Sequence, residues 1–389
     1  MPINEFCPQI GKAEILSVLE TLEDNWVTEG KKTKQLEGML ADYFGCKRVV
    51  MVPNGTLALF AALKVLGIGP GDEVIVPDFT FFASASAVVL TGAKPVLVDV
   101  DELDGNISVA AARASLSDRT KAIMPVHIYG QSCDMQAVME LARCHGLLVV
   151  EDAAQGMGVT FGDKHVGTFG DIGCMSFFAD KTLTTGEGGA LLVNDEELAR
   201  RCVYFKNQGR LRRGTFVHEH MGYNFRITDL QAAIGVAQFE RIAQTIRHKR
   251  SLCAAYARRL SGCPGVRWPA DNGFGQAVPF RVNILVDDPE GLARFLADRD
   301  IAVRRFFYPL HLQPSLNAAN CVVRQQPVNS VRLFEAGLML PSGLDLAETE
   351  VDYVCACILE YQRAHAADAR GAGTRDASSR LSRAVCRSL

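Results

Sequence analysis

The sequence predicts an α/β protein. A large domain is built on a mostly parallel, seven-stranded sheet covered by helices, and a small C-terminal α+β domain follows. Three observations carry that reading. Short apolar runs alternate with helical patterns through the first two-thirds of the 389 residues, the rhythm of βαβ units. Runs such as VVED and the one before PDFTFF end on polar or turn residues. That edge, at the carboxyl ends of the strands, is where open parallel sheets collect ligands. From about Gly265 the rhythm gives way to a mixed order of strand and helix signals.

In chain order, strands are expected over 48–52, 73–76, 95–99, 121–125, 147–152, 173–178 and 190–193. Helical patterns fall over 56–66, 82–91, 135–145 and 196–207. Residues 229–260 read as a long, broken helical stretch that bridges to the second domain. Beyond it, 277–286 and 302–307 are strand-like, and 289–300 and 348–364 are helical. The large domain is therefore expected to span 1–245 and the small one 246–365. Residues 366–389, rich in Ala, Arg, Ser and Gly, read as a disordered tail.

Composition narrows the function. A hydrophobic share of 48% against 22% charged residues suits an ordinary globular chain. The net charge of -3 offers no basis for a nucleic acid or an anionic membrane as partner. No apolar run approaches the ~20 residues of a membrane helix. The opening MPINEFCPQIGKAEIL carries Glu5 where an export signal needs an apolar core. The 12 cysteines form no C-x-x-C pair, so reduced thiols in a cytoplasm, and no metal site, are expected.

Four segments hold chemistry. In VVEDAAQG, Asp152 closes an apolar strand, and a carboxylate there needs a cationic or hydrogen-bonding partner; alone it reads equally as a helix cap or ion pair. In PNGTLALFAAL, a turn runs straight into a helix whose free amides and Thr56 hydroxyl suit a phosphate or a plain cap. In PDFTFFASASAV, three phenylalanines surround Thr80, and one of them can stack on a planar ligand or belong to the core. In SFFADKTLTTGEGGAL, Lys181 lies between two apolar runs. Burial depresses a lysine's pKa and leaves a neutral amine able to form a Schiff base, whereas a solvated loop lysine does not. Ser176, five residues earlier, can bond a phosphate. An amine, a carboxylate, a phosphate cradle and an aromatic plate at strand ends of one sheet together fit pyridoxal phosphate (PLP).

The chain resembles the DegT/StrS family of sugar aminotransferases over roughly residues 5–365. The resemblance rests on NGTLAL, GIGPGDEVIVP, GAKPVLVDVD, RTKAIMPVHIYGQSCDM, EDAAQGMG, GDIGCMSFFADKTLTTGEGGAL and GYNFRITDLQAAIG, in that order. Perosamine-synthase-like members are the nearest in pattern. The resemblance implies the type I PLP-transferase fold. It implies that Lys181 bonds the cofactor aldehyde and that Asp152 keeps the pyridine nitrogen protonated. Gln155 would lie near the ring hydroxyl, Gly55, Thr56 and Ser176 would take the phosphate, and Phe81 would flank the ring. Asn224 would reach the cofactor of a neighbouring subunit, making the working unit a homodimer with shared active sites. For the sugar nucleotide it suggests Trp26, Thr28 and Glu29 in NWVTEG, and Tyr308 and His311 in FFYPLHLQP. Arg210, Arg212 and Arg213 suit a diphosphate or form a solvated basic loop.

The implied reaction moves an amino group, with glutamate as the expected donor, to C4 of a nucleotide-linked 4-keto-6-deoxy sugar. One family branch has histidine at the lysine position and removes a sugar hydroxyl; Lys181 favours amino transfer. Cyclitol aminotransferases and dehydratases of the family also carry the lysine, and a non-catalytic PLP-fold regulator is the third alternative. AVPFRVNI, residues 277–284, departs from the Trp- or Tyr-rich strand of perosamine-type members.

Overall fold

The computed structural model describes residues 2–210, 216–319 and 321–371, with 366–371 as backbone only. The expected large-domain strands form within two residues of their expected ends. They are β1 (Arg48–Val52), β2 (Glu73–Pro77), β3 (Lys94–Val98), β4 (Thr120–Ile123) and β5 (Leu148–Asp152). A detached hairpin of β6 (Thr160–Phe161) and β7 (Lys164–His165) precedes β8 (Ile172–Ser176) and β9 (Gly189–Val193). Every residue of β2, β8 and β9 is buried, as strands covered on both faces must be.

Later strands are β10 (Val266–Arg267), β11 (Val282–Val286), β12 (Arg304–Arg305), β13 (Val322–Val323) and β14 (Gly337–Leu340). The main sheet runs β1-β9-β8-β5-β4-β2-β3-β13. It is parallel from β8 to β13, and only β9 runs against its neighbours. Eight strands therefore replace the seven expected. The eighth, β13, comes from late in the chain because 310–323 returns to the large domain, where Leu310 and Leu316 join its core. The small sheet, β10-β11-β14-β12, is antiparallel throughout.

The expected domain boundary at 245/246 falls inside the helix Ile242–Arg259. Ile242 and Ile246 pack in a large-domain core, while Leu252 and Tyr256 pack in the small-domain core, so one helix ties the two. The chain's first residues also cross over: Ile3 bridges to Ile301 and joins the small-domain core. The last helix, Glu348–Gly371, runs past the expected tail boundary at 365. Among the described residues no helix is long and apolar enough to cross a membrane, and every described cysteine is a free thiol.

Candidate active site

A cleft of about 360 Å³ opens at the carboxyl ends of β1, β2, β5 and β8. Gly55, Thr56, Phe81, Asp152, Gln155, Ser176 and Lys181 all line it. Each arrives for a local reason. After β1 the side chain of Asn54 caps the helix Gly55–Val65 by accepting the Leu57 amide at 2.9 Å. The amides of Gly55 and Thr56 lie in the first turn, where a helix has no internal acceptor to offer. A Cβ on residue 55 would stand 2.9 Å from the Ser176 Cβ, so glycine keeps the space between that turn and the end of β8 open. Free amides, a positive helix end and two hydroxyls around an open cradle fit a phosphate.

Asp152 is the last residue of β5 and is buried. Its Oδ2 accepts the Ser84 hydroxyl at 2.8 Å and its Oδ1 the Ala154 amide at 3.1 Å. Burial pushes the carboxyl above its ordinary range; the Ser84 and Ala154 bonds and the Lys181 charge pull the other way and lose. Gln155 turns its Oε1 to the Tyr129 amide at 2.6 Å, and Phe81 stands half exposed at the mouth beside Phe307, 5.9 Å between ring centres.

Lys181 is largely buried, with Nζ 4.4 Å from the centre of the Phe280 ring and 3.6 Å from Asp180 Oδ1. Burial lowers its pKa; Asp180 and Asp152 hold it up, and Arg281 lowers it further. The result is an amine poised nearer neutrality than an exposed lysine, in the same cleft as a buried carboxylate and a phosphate cradle. These donors fit PLP: an aldehyde for the amine, a ring nitrogen for Asp152 and a phosphate for the cradle.

A family model for DegT/DnrJ/EryC1/StrS aminotransferases matches residues 8–359. The chain belongs to the DegT/DnrJ/EryC1/StrS aminotransferase family. It is 38% identical over 363 residues to the GDP-perosamine synthase of Escherichia coli O157:H7, covering 92% of this chain and 98% of that protein. With the GDP-perosamine synthase of Vibrio cholerae it shares 36% identity over 367 residues, 93% of this chain and 99% of that one. The crystal structure of the aminotransferase TlmJ from Streptoalloteichus hindustanus superposes with a TM-score of 0.89 at 32% identity, covering 94% of this chain and all of TlmJ. The chain is therefore a transaminase of a PLP-dependent family.

The remaining expected residues lie elsewhere. Trp26 is half exposed, with Nε1 donating to the Glu29 carbonyl at 3.2 Å; Thr28 is exposed, and Glu29 pairs with Lys206 at 3.0 Å. Asn224 is exposed on a segment bridged to Asn207. Tyr308 packs edge-on to Phe334, and His311 gives its backbone amide to Asp78 Oδ1 at 2.7 Å and its Nδ1 to Asp78 Oδ2 at 2.8 Å. None of these lines the cleft within one chain. Arg210 bonds Gln208 at 2.9 Å, and Arg212 and Arg213 lie outside the described residues.

Sequence reasoning missed the wall facing the strand ends. Phe280, Arg281, Arg304, Phe307 and Met339 come from the small domain, and Asp180 and Glu187 flank Lys181 in its own loop. The unusual AVPFRVNI stretch was the signal: Phe280 and Arg281 are its contribution to the cleft.

Proposed function

We propose that the chain binds PLP on Lys181 and transfers an amino group from an α-amino acid, glutamate first among them, to C4 of a nucleotide-linked 4-keto-6-deoxy sugar. The observation that carries this reading is the convergence of Lys181, Asp152 and the Gly55–Thr56 helix turn on one cleft. The bound group supplies an electron sink for the carbanion that forms when the donor loses its α-proton. The chain's own residues do the rest. Asp152 would hold a proton on the ring nitrogen, and Ser84 fixes that carboxylate's orientation. The Lys181 amine takes the α-proton as general base. Gly55, Thr56 and Ser176 would hold the phosphate, and Gln155 and Phe81 line the cleft where the ring would lie.

The likeness to GDP-perosamine synthases supports a sugar nucleotide as acceptor. The reading includes a cytoplasmic homodimer in which Asn224 and the Trp26, Thr28 and Glu29 loop serve the other subunit's cleft. In support, residues around Asn224 expose apolar side chains that a second copy would cover: Phe216 at 90% and Met221 at 95%. Tyr308 and His311 remain candidates for the sugar side.

Glutamate added alone should convert the visible spectrum of the PLP-loaded protein to that of the pyridoxamine form. Keto-sugar nucleotides carrying GDP, UDP or dTDP should then restore it. Restoration by scyllo-inosose instead would make it a cyclitol aminotransferase. No response to any amino donor would make it a PLP-binding regulator.

A further inference from the structure

Beside the Lys181 amine lies a buried charge cluster to which the transfer reaction assigns no role. Asp180, 9% exposed at its side chain, accepts Arg281 Nη2 on Oδ2 at 2.9 Å. Its other oxygen, Oδ1, is buried without a hydrogen-bond partner among the described residues and lies 3.6 Å from Lys181 Nζ. Arg281 is itself fastened. Its Nη1 donates to the Glu5 carbonyl at 3.0 Å, and its guanidinium stacks between Phe6, at 4.7 Å, and Phe280, at 5.2 Å. An unsatisfied carboxylate oxygen in the interior is costly unless something comes to it. A donor within reach is the Lys181 amine, one small side-chain movement short of a hydrogen bond.

Resting on the function proposed above, we propose that Asp180 is a positioning residue for amino transfer. Its Oδ1 docks the Lys181 ammonium whenever that nitrogen is released from the cofactor, and Arg281 pins Asp180 so that the carboxylate waits rather than follows. The proton arithmetic is simple. The Lys181 amine gains one proton from the donor's α-carbon, the electron pair of that C–H bond stays on the carbon side, and Asp180 remains a carboxylate throughout. A newly formed ammonium in a buried cleft needs a counter-charge at that moment. Asp152 is committed to the ring nitrogen and Glu187 is exposed, so Asp180 is the buried carboxylate left to serve.

The other charges around Lys181 sharpen the assignment. Glu187 shares its loop and lines the cleft, and Arg304 lines the opposite wall with its guanidinium paired to the Glu5 side chain. From the helix Ile242–Arg259, Lys249 donates to the Phe280 carbonyl at 3.1 Å, with burial and then Arg281 lowering its pKa to about 8. Cations thus crowd the rear of the amine, and Asp180 is the carboxylate inserted among them.

The test is the pH dependence of Lys181 acylation in the cofactor-free protein, read by mass spectrometry of its peptide. Asp180→Asn should move the midpoint down by about one pH unit, a tenfold change in free amine at fixed pH. Arg281→Met should move it up, because the guanidinium's direct repulsion is lost and the carboxylate then faces Lys181 alone. A purely structural pair would lower the melting temperature and leave the Asp180→Asn midpoint where it was, and that result overturns the proposal. Should Asp180→Asn fail to fold, the Asp180→Ser midpoint decides: a fall supports the docking role, and no fall refutes it. The readout requires no turnover. A wild-type protein that ignores PLP and glutamate would sink the proposed function while leaving the midpoints interpretable.

Discussion

Glu151 and Asp152 are neighbours at the end of β5, both buried, and they have opposite fates. Their side chains leave opposite faces of the sheet. Glu151 meets four donors: His127 Nε2 at 3.0 Å and the amides of Gly167, Phe169 and Gly170 at 2.6–2.7 Å. Because His127 Nδ1 accepts the Cys133 amide, the proton on Nε2 points at Glu151. Burial pushes the Glu151 carboxyl up, but the His127 hydrogen bond and the glycine amides overcome it, and its pKa is lowered. Asp152 has two donors, its burial wins, and its pKa is raised. Saturation makes a carboxylate structural, and a half-satisfied one facing a cleft is available for chemistry.

The comparison breaks most visibly through rates. Asp152→Ala should slow the glutamate half-reaction on the order of 10³-fold or more in single-turnover spectra. Its stability in urea should change little, since an uneasy buried carboxylate is removed. Glu151→Gln should do the reverse. Breaking that buried network should cost about 3–5 kcal/mol in urea unfolding, with the half-reaction nearly intact once the protein is folded. The division collapses if both variants lose rate alike.

Acid sharpens the same contrast. A lowered folded pKa means that Glu151 contributes its full stabilisation above the ordinary carboxyl range and loses it as pH falls through the lowered value. Asp152, with its pKa raised, penalises the folded state above that value, and the penalty is relieved as pH falls through it. Acid unfolding should therefore be displaced in Glu151→Gln and barely in Asp152→Asn, as followed by circular dichroism against pH. At the cradle, Gly55→Ala should weaken PLP binding roughly tenfold, or about 1.4 kcal/mol, because its Cβ would crowd Ser176. Equilibrium dialysis of PLP against the variant measures that loss.

Much of this was legible in the sequence because a parallel sheet converts strand ends into neighbours. Asp152, Ser176 and the Gly55–Thr56 turn are far apart in the chain, yet each follows an apolar run and so reaches the same edge. What stayed illegible depends on pairing across domains. Asp180 stood in plain view beside Lys181, but its partner Arg281 is 101 residues away, and nothing local marks the bond. The strand β14 (GLML) is too short to carry a period. Helix Lys12–Glu23 escaped for another reason: Ile15, Leu16, Leu19 and Leu22 face outward while Glu14, Ser17 and Thr21 are buried, inverting the usual amphipathic signal.

The smallest expected effect is the most discriminating. Ser84 donates to Asp152 Oδ2 and sits 3.0 Å from the Thr80 hydroxyl, a short relay from the β2 end to the carboxylate. Ser84→Ala deletes one of Asp152's two donors without touching its charge. If satisfaction by donors sets the difference between the two neighbours, Asp152 should then titrate still higher, and the acid limb of the glutamate half-reaction should move up in pH. The rate on its plateau should fall by about 1 kcal/mol, roughly fivefold. An acid limb that stays in place while the plateau falls would mean that Ser84 only shapes the cleft. The contrast between Glu151 and Asp152 would then rest on which face of the sheet each occupies, and not on how many donors each one meets.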